Sequence, residues 1–209
     1  MIDLEIEARF SVKDPDWLAK HGQDLEMANC CLGIYKEVWV QDKYLDTSQQ
    51  DIWESGFTLR VRECEGQCSI TLKSSRSQHD RWSVREQIEF SVGTEIDIEH
   101  WSDDNARALV THITDGKRLR ETVELRQMRG ERDVYSDGDP VARLSMDQVQ
   151  VWMKGKQLDE FYVLEVELLP HGEPEILEEI CIVLESEGLR PLRLTKLERA
   201  FQAAESYMH

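Results

Sequence analysis

The sequence MIDLEIEARF, residues 1–10, alternates between two kinds of side chain. One set is apolar and consists of Ile2, Leu4, Ile6, Ala8 and Phe10. The other set is charged and consists of Asp3, Glu5, Glu7 and Arg9. Because successive side chains of a strand point to opposite faces, this period of two predicts a β-strand with one apolar and one charged face. The charges also exclude a secretory signal peptide.

The same period of two recurs along most of the chain. The predicted strands are 33–46, 57–64, 68–74, 82–92, 122–129, 133–136, 141–151 and 161–169. Helical patterns are fewer: a helix starting at 14–16, a turn or short helix in 47–55, and helices at 103–114, 173–187 and 195–206. Many strands with a few peripheral helices indicate an α+β fold built on an antiparallel barrel.

The composition limits the classes of protein and partner. A length of 209 residues suits one barrel, and we expect a single domain spanning 1–209. No apolar run approaches the roughly 20 residues of a membrane span. The net charge of −17 argues against nucleic acid and anionic membranes as partners. The five cysteines are an odd number without disulfide spacing, which favours reduced thiols and a cytoplasmic location.

Several strands carry pairs of like charges two residues apart. These pairs are Glu5 with Glu7, Arg60 with Arg62, and Glu165 with Glu167. Such faces are often simply solvated. Like charges at this spacing nevertheless repel one another unless something offsets them. The residues alone therefore leave two interpretations open, namely wet outer faces or a polar barrel lumen.

A polar lumen would predict a particular ligand. Clustered carboxylates favour a hard divalent cation such as Mg²⁺ or Mn²⁺. Clustered arginines and lysines favour a polyanion, and the guanidinium group matches phosphate oxygens well. A lumen with both kinds of cluster would suit a metal–polyphosphate ligand.

The same residues resemble, in order, the motifs of the CYTH superfamily, the triphosphate tunnel metalloenzymes. Residues 5–10 resemble its ExExK signature, and 194–199 (LTKLER) its C-terminal [ST]-K-x-x-R motif. The similar segments between them are 44–47 (YLDT), 59–62 (LRVR), 70–73 (ITLK), 85–89 (REQIE), 125–129 (LRQMR), 144–147 (LSMD) and 164–167 (LEVE). The resemblance covers nearly the whole chain.

The resemblance implies an eight-stranded antiparallel β-barrel that forms a tunnel, with peripheral helices and a metal-dependent triphosphatase activity. The substrate would be inorganic tripolyphosphate or an organic triphosphate. The metal ligands implied are Glu5, Glu7, Glu165 and Glu167, with Asp147 and Glu89 as further candidates. The substrate-binding residues implied are Arg60, Arg62, Lys73, Arg126, Arg129, Lys196 and Arg199. Arg9 and Lys73 are the catalytic candidates.

The resemblance leaves alternatives open, and the chain departs from the family pattern at two positions. Arg9 stands where the signature has lysine, and Gln87 replaces the middle acid of R-x-E-x-E. One alternative is an adenylate cyclase of class IV type that forms cyclic AMP from ATP. Another is a non-catalytic module that binds polyphosphate or nucleotides. A strand bulge would decide whether Arg126 or Arg129 points inward, and a homodimer is also compatible with the resemblance.

Overall fold

The computed structural model describes residues 2–13, 17, 21, 24–93 and 97–208. The helix start predicted at 14–16 lies outside the described residues. The strands are β1 (Asp3–Val12), β2 (Glu26–Met27), β3 (Cys30–Leu32), β4 (Lys36–Asp46), β5 (Phe57–Cys64), β6 (Gln67–Ser74), β7 (Ser77–Gln78), β8 (Trp82–Val92), β9 (Arg120–Ser136), β10 (Asp139–Met153), β11 (Lys156–Leu168) and β12 (Arg190–Pro191).

Eight of these strands close into an antiparallel barrel. Their order is β10-β11-β1-β8-β6-β5-β4-β9, and β9 pairs again with β10 to complete the ring. The short strands β2, β3, β7 and β12 attach to its edges. The eight-stranded antiparallel barrel predicted from the resemblance is thereby confirmed.

The helices lie close to their predicted positions. Those whose full extent the structure describes are α1 (Asp51–Glu54), α2 (Asp104–Thr114), α3 (Pro174–Ser186) and α4 (Lys196–Met208), and a 3₁₀ turn lies at Ile98–His100. The Asp103 side chain caps α2 by accepting the backbone N–H of Ala106 at 2.9 Å. None of the helices in the described part of the chain is both long and apolar enough to cross a membrane.

The structure corrects the sequence prediction at β9. Two separate strands, 122–129 and 133–136, were expected, but β9 runs unbroken through Gly130. Gly130 pairs with Met146 on one side and with Glu37 on the other. The Tyr35 ring packs where a side chain at position 130 would project. The glycine therefore allows close packing inside a strand and does not end it.

The apolar face of each strand near β1 points outward, beneath a helix. Phe10 and Leu164 are buried against Leu177 and Ile180 of α3. The outer faces of β5, β6 and β8 are covered in the same way by α1 and α2, through residues such as Ile52 and Val110. These helices hold the apolar side of the wall away from water, so the opposite, charged faces line the barrel interior.

Helix α4 instead packs against inward faces. Its Leu197 and Ala200 join a buried cluster with Leu125, Val149 and Val163. Val149 follows Asp147 by two positions and Val163 precedes Glu165 by two, so each shares a strand face with that acid. One end of the interior is thus apolar and filled by α4, and the remainder is polar and open.

Candidate functional site

The polar part of the interior is a cavity of about 840 Å³. It is lined by the inward faces of the barrel strands and by the start of α4. Glu5 and Glu7 are only 6% exposed and Arg9 only 4%. The like-charged pairs noted in the sequence therefore line a lumen and are not a solvated outer surface.

Two neighbouring arginines share one buried carboxylate. Asp42 of β4 accepts hydrogen bonds from Arg62 Nε and Nη2 at 2.7 and 2.8 Å, and Arg60 Nη1 lies 3.6 Å away. Gln127 Nε2 donates to the same carboxylate at 2.8 Å. Burial would raise the pKa of Asp42, but the charges of Arg60 and Arg62 outweigh it and hold the pKa well below its usual range. Asp42 stays ionised and fixes both guanidinium groups.

Glu5 lies between two bases of neighbouring strands. It accepts Lys73 Nζ at 2.5 Å, and it also accepts Arg85 Nε. Burial alone would raise the pKa of Glu5, but Lys73 and Arg85 lower it to about 2. Burial, together with the charge of Arg85, lowers the pKa of Lys73 to about 8 in spite of its contact with Glu5. Both groups are charged at neutral pH.

A second buried network joins α4 to the wall. Lys196 Nζ donates to Asp147 at 2.5 Å and to Glu165 at 2.7 Å. Arg129 donates to both oxygens of Asp147 at 2.7 and 3.0 Å. Burial opposes the ionisation of Glu165, yet Lys196 and Arg129 lower its pKa. The first residue of α4 is thereby anchored to two adjacent strands.

Arg9 is almost fully buried. Its Nη1 donates to Glu7 at 2.8 Å and its Nη2 to Ser83 at 3.1 Å. The Nε groups of Arg9 and Arg60 have no hydrogen-bond partner among the residues that the structure describes. Buried donors of this kind are rare in proteins and are normally satisfied by water, an ion or a ligand.

Two further predicted metal ligands are Glu167 and Glu89. Glu167 lies opposite Glu7 across the β1–β11 pair. Burial and the charges of Glu5 and Glu7 raise its pKa. Glu89 is at the rim, with its side chain 49% exposed, and accepts the Thr71 hydroxyl at 2.8 Å.

The structure brings together most, but not all, of the predicted residues. Asp147 is 0% exposed and lies beneath the lining. Arg126 points away from the cavity, pairs with Glu124 and stacks 4.2 Å from the Trp152 ring. Arg199 pairs with Asp159 and stacks 4.0 Å from the Phe161 ring. The odd-numbered face of β9 is inward, so Arg129 and not Arg126 reaches the lumen.

Sequence reasoning missed several lining residues. Asp42 and Arg85 were left out, although strand periodicity places each on an inward face with Tyr44 and Glu89, respectively. Arg143 also lines the cavity and pairs with Asp133 at 2.8 Å. Arg76 lies in the loop between β6 and β7, where periodicity gives no signal.

The sequence of residues 3–201 matches the family model of the CYTH domain. The chain belongs to the CYTH family. Comparison with curated protein sequences gives no match.

Solved structures show the same CYTH fold at low sequence identity. A proposed adenylyl cyclase from Hippeastrum, described as having a dominant triphosphatase activity, has a TM-score of 0.69 and 18% identity, over 94% of this chain and 95% of that one. A proposed adenylate cyclase from Bacillus halodurans has a TM-score of 0.65 and 15% identity, over 95% and 97%. The Mimivirus capping enzyme triphosphatase has a TM-score of 0.52 and 13% identity, over 88% of each chain.

Proposed function

We propose that this CYTH protein is a divalent-metal-dependent triphosphatase whose substrate lies in the barrel lumen. The observation that supports it best is the distribution of charged residues in the chain. Ten of the 25 lysines and arginines line the cavity, against nine of the 42 aspartates and glutamates. The cavity lining is thus close to neutral in a chain of net charge −17, so the basic residues are concentrated where a polyanion would bind.

The arrangement of these bases suits a chain of phosphates. Arg60 and Arg62 lie on β5, Lys73 on the adjacent β6, Arg129 on β9 beyond β4, and Lys196 at the start of α4. Arginine donates in a fixed fork to phosphate oxygens, and lysine acts as a point charge. We assign phosphate binding to these five residues. Arg126 and Arg199 take no part in this assignment.

The carboxylates fit a hard divalent cation by their chemistry. Glu5, Glu7 and Glu167 supply oxygen ligands. Burial, and next the charges of Glu5 and Glu7, raise the pKa of Glu167, so a cation bound there would stabilise its ionised form. No three such residues form a ready metal cluster in the part of the chain described. We propose that these three would hold Mg²⁺ or Mn²⁺, which would neutralise phosphate charge and act as a Lewis acid. Glu165 instead holds Lys196.

The residues of the chain would act mainly by position and charge. Hydrolysis adds water to the terminal phosphorus and breaks its bond to the bridging oxygen, so tripolyphosphate gives phosphate and pyrophosphate. Arg9 and Lys73 are proposed to stabilise the charge that develops on the phosphate oxygens. Their fixed hydrogen bonds to Glu7 and Glu5 reduce the reorganisation needed at the moment of reaction.

The test is phosphate release from tripolyphosphate with Mg²⁺ or Mn²⁺. Wild type is compared with Arg60→Ala, and with Arg107→Ala as a control on the α2 surface, where Arg107 pairs with Asp104. We expect metal-dependent turnover that Arg60→Ala lowers by 100-fold or more and that Arg107→Ala leaves unchanged. ATP is tested in parallel: cyclic AMP would support the cyclase, and binding without turnover would support a non-catalytic module.

A further inference from the structure

A reciprocal cap begins α4. Thr195 Oγ1 accepts the backbone N–H of Glu198 at 3.1 Å, and the Glu198 carboxylate accepts the backbone N–H of Thr195 at 2.7 Å. This capping box fixes the direction in which the chain enters the helix. The first helical residue is Lys196, whose side chain enters the cavity network.

The Glu198 carboxylate is also bound by a residue outside the helix, Arg76. Arg76 Nη1 and Nη2 donate to the two oxygens of Glu198 at 3.1 and 3.0 Å. Arg76 Nη2 also donates to the backbone carbonyl of Arg193 at 2.6 Å. Arg76 follows Lys73 by three residues, so this contact links the end of β6 directly to the segment that leads into α4.

Lys196 needs such support because of its position in the helix. The N-terminus of a helix carries partial positive charge and disfavours a cation in the first turn. Lys196 is nevertheless the first residue of α4 and is 8% exposed. Its ammonium group is satisfied by Asp147 and Glu165, and these contacts require the start of α4 to stay in place.

We propose that Arg76 is a positioning residue that acts through Glu198 to hold Lys196 at its place in the phosphate site. This inference rests on the proposed function, because it assigns the clamped lysine to phosphate binding. Arg76 itself lines the cavity, so the alternative to exclude is that its guanidinium group binds phosphate directly.

Hydrogen exchange in the ligand-free protein tests the clamp without reference to activity. We expect Arg76→Ala to accelerate exchange of the amides of 197–200 at least tenfold and to leave α3 unchanged. The control is Arg81→Ala, which breaks a comparable pair with Glu178 and Glu185 of α3. Exchange at 197–200 equal to that of wild type in Arg76→Ala would overturn the proposal.

Tripolyphosphate binding by calorimetry then separates the clamp from direct binding. We expect Arg76→Ala and Glu198→Ala each to raise the Kd about tenfold, and Arg76→Ala to add less than twofold in a Lys196→Ala background. An equal loss in both backgrounds, or tighter binding in Glu198→Ala, would mean that Arg76 binds phosphate itself, and would overturn the proposal. Absence of binding by wild type would instead contradict the proposed function, while exchange at 197–200 still decides whether the clamp exists.

Discussion

Asp42 and Arg62 form a two-point ion pair in which the carboxylate is only 1% exposed. A buried charge that loses its partner is costly, and removal of Asp42 leaves Arg60 and Arg62 without the carboxylate that they share. Asp42→Ala should therefore lower the free energy of unfolding by about 3–5 kcal/mol, as measured by urea denaturation. It should also weaken tripolyphosphate binding, because Arg60 and Arg62 lose their shared anchor.

A surface pair provides the matched control for Asp42. Asp159 accepts Arg199 Nε at 3.1 Å, with both side chains 33% exposed. Asp159→Ala should change the unfolding free energy by less than about 1 kcal/mol. Equal destabilisation by the two substitutions would contradict the importance assigned to burial.

Stability should fall in acid because of the buried carboxylates. The pKa values of Asp42, Glu165 and Glu5 are lowered in the folded protein, that of Glu5 to about 2. Their contribution is complete above the unfolded pKa of about 4 and is lost as the pH falls toward the folded value. Urea midpoints should stay level from pH 6 to about pH 5 and then decrease down to pH 2.5. A flat profile would show that these groups are not paired in solution.

Glu167 should behave in the opposite way. Its pKa is raised by burial and by Glu5 and Glu7, so its ionised form destabilises the metal-free protein near and above the folded pKa. Glu167→Gln should raise the melting temperature in EDTA at pH 7 and should reduce stabilisation by added Mn²⁺. Loss of stability in EDTA would show that the carboxylate is already compensated.

Arg129 and Arg126 offer a direct comparison of inward and outward positions on one strand. Arg129→Ala should raise the Kd for tripolyphosphate tenfold or more, since it removes a lining guanidinium and the partner of Asp147. Arg126→Ala should leave the Kd within twofold of wild type, because that side chain stacks on Trp152 outside the barrel. The reverse ranking, measured by calorimetry, would mean that the β9 register is wrong.

The periodicity of the sequence predicts the strands and their charged faces well. It does not say which face is inward, because an alternating strand looks the same in a barrel with an apolar interior. The family resemblance and the covering helices decide that question. The choice between Arg126 and Arg129 depended on the register of β9. The roles of Asp42 and Arg76 depended on contacts between segments that are distant in sequence, which no local pattern encodes.

The main apolar clusters lie outside the barrel wall, and this placement affects how the ligand-binding residues inside the barrel can evolve. Contacts such as Phe10 with Leu177 hold the β1 region of the wall from its outer side. Substitutions confined to the open part of the lumen leave that packing intact, provided that charges are exchanged in compensating pairs such as Glu5 with Lys73. New ligand preferences can thus evolve, or be engineered, inside an unchanged shell.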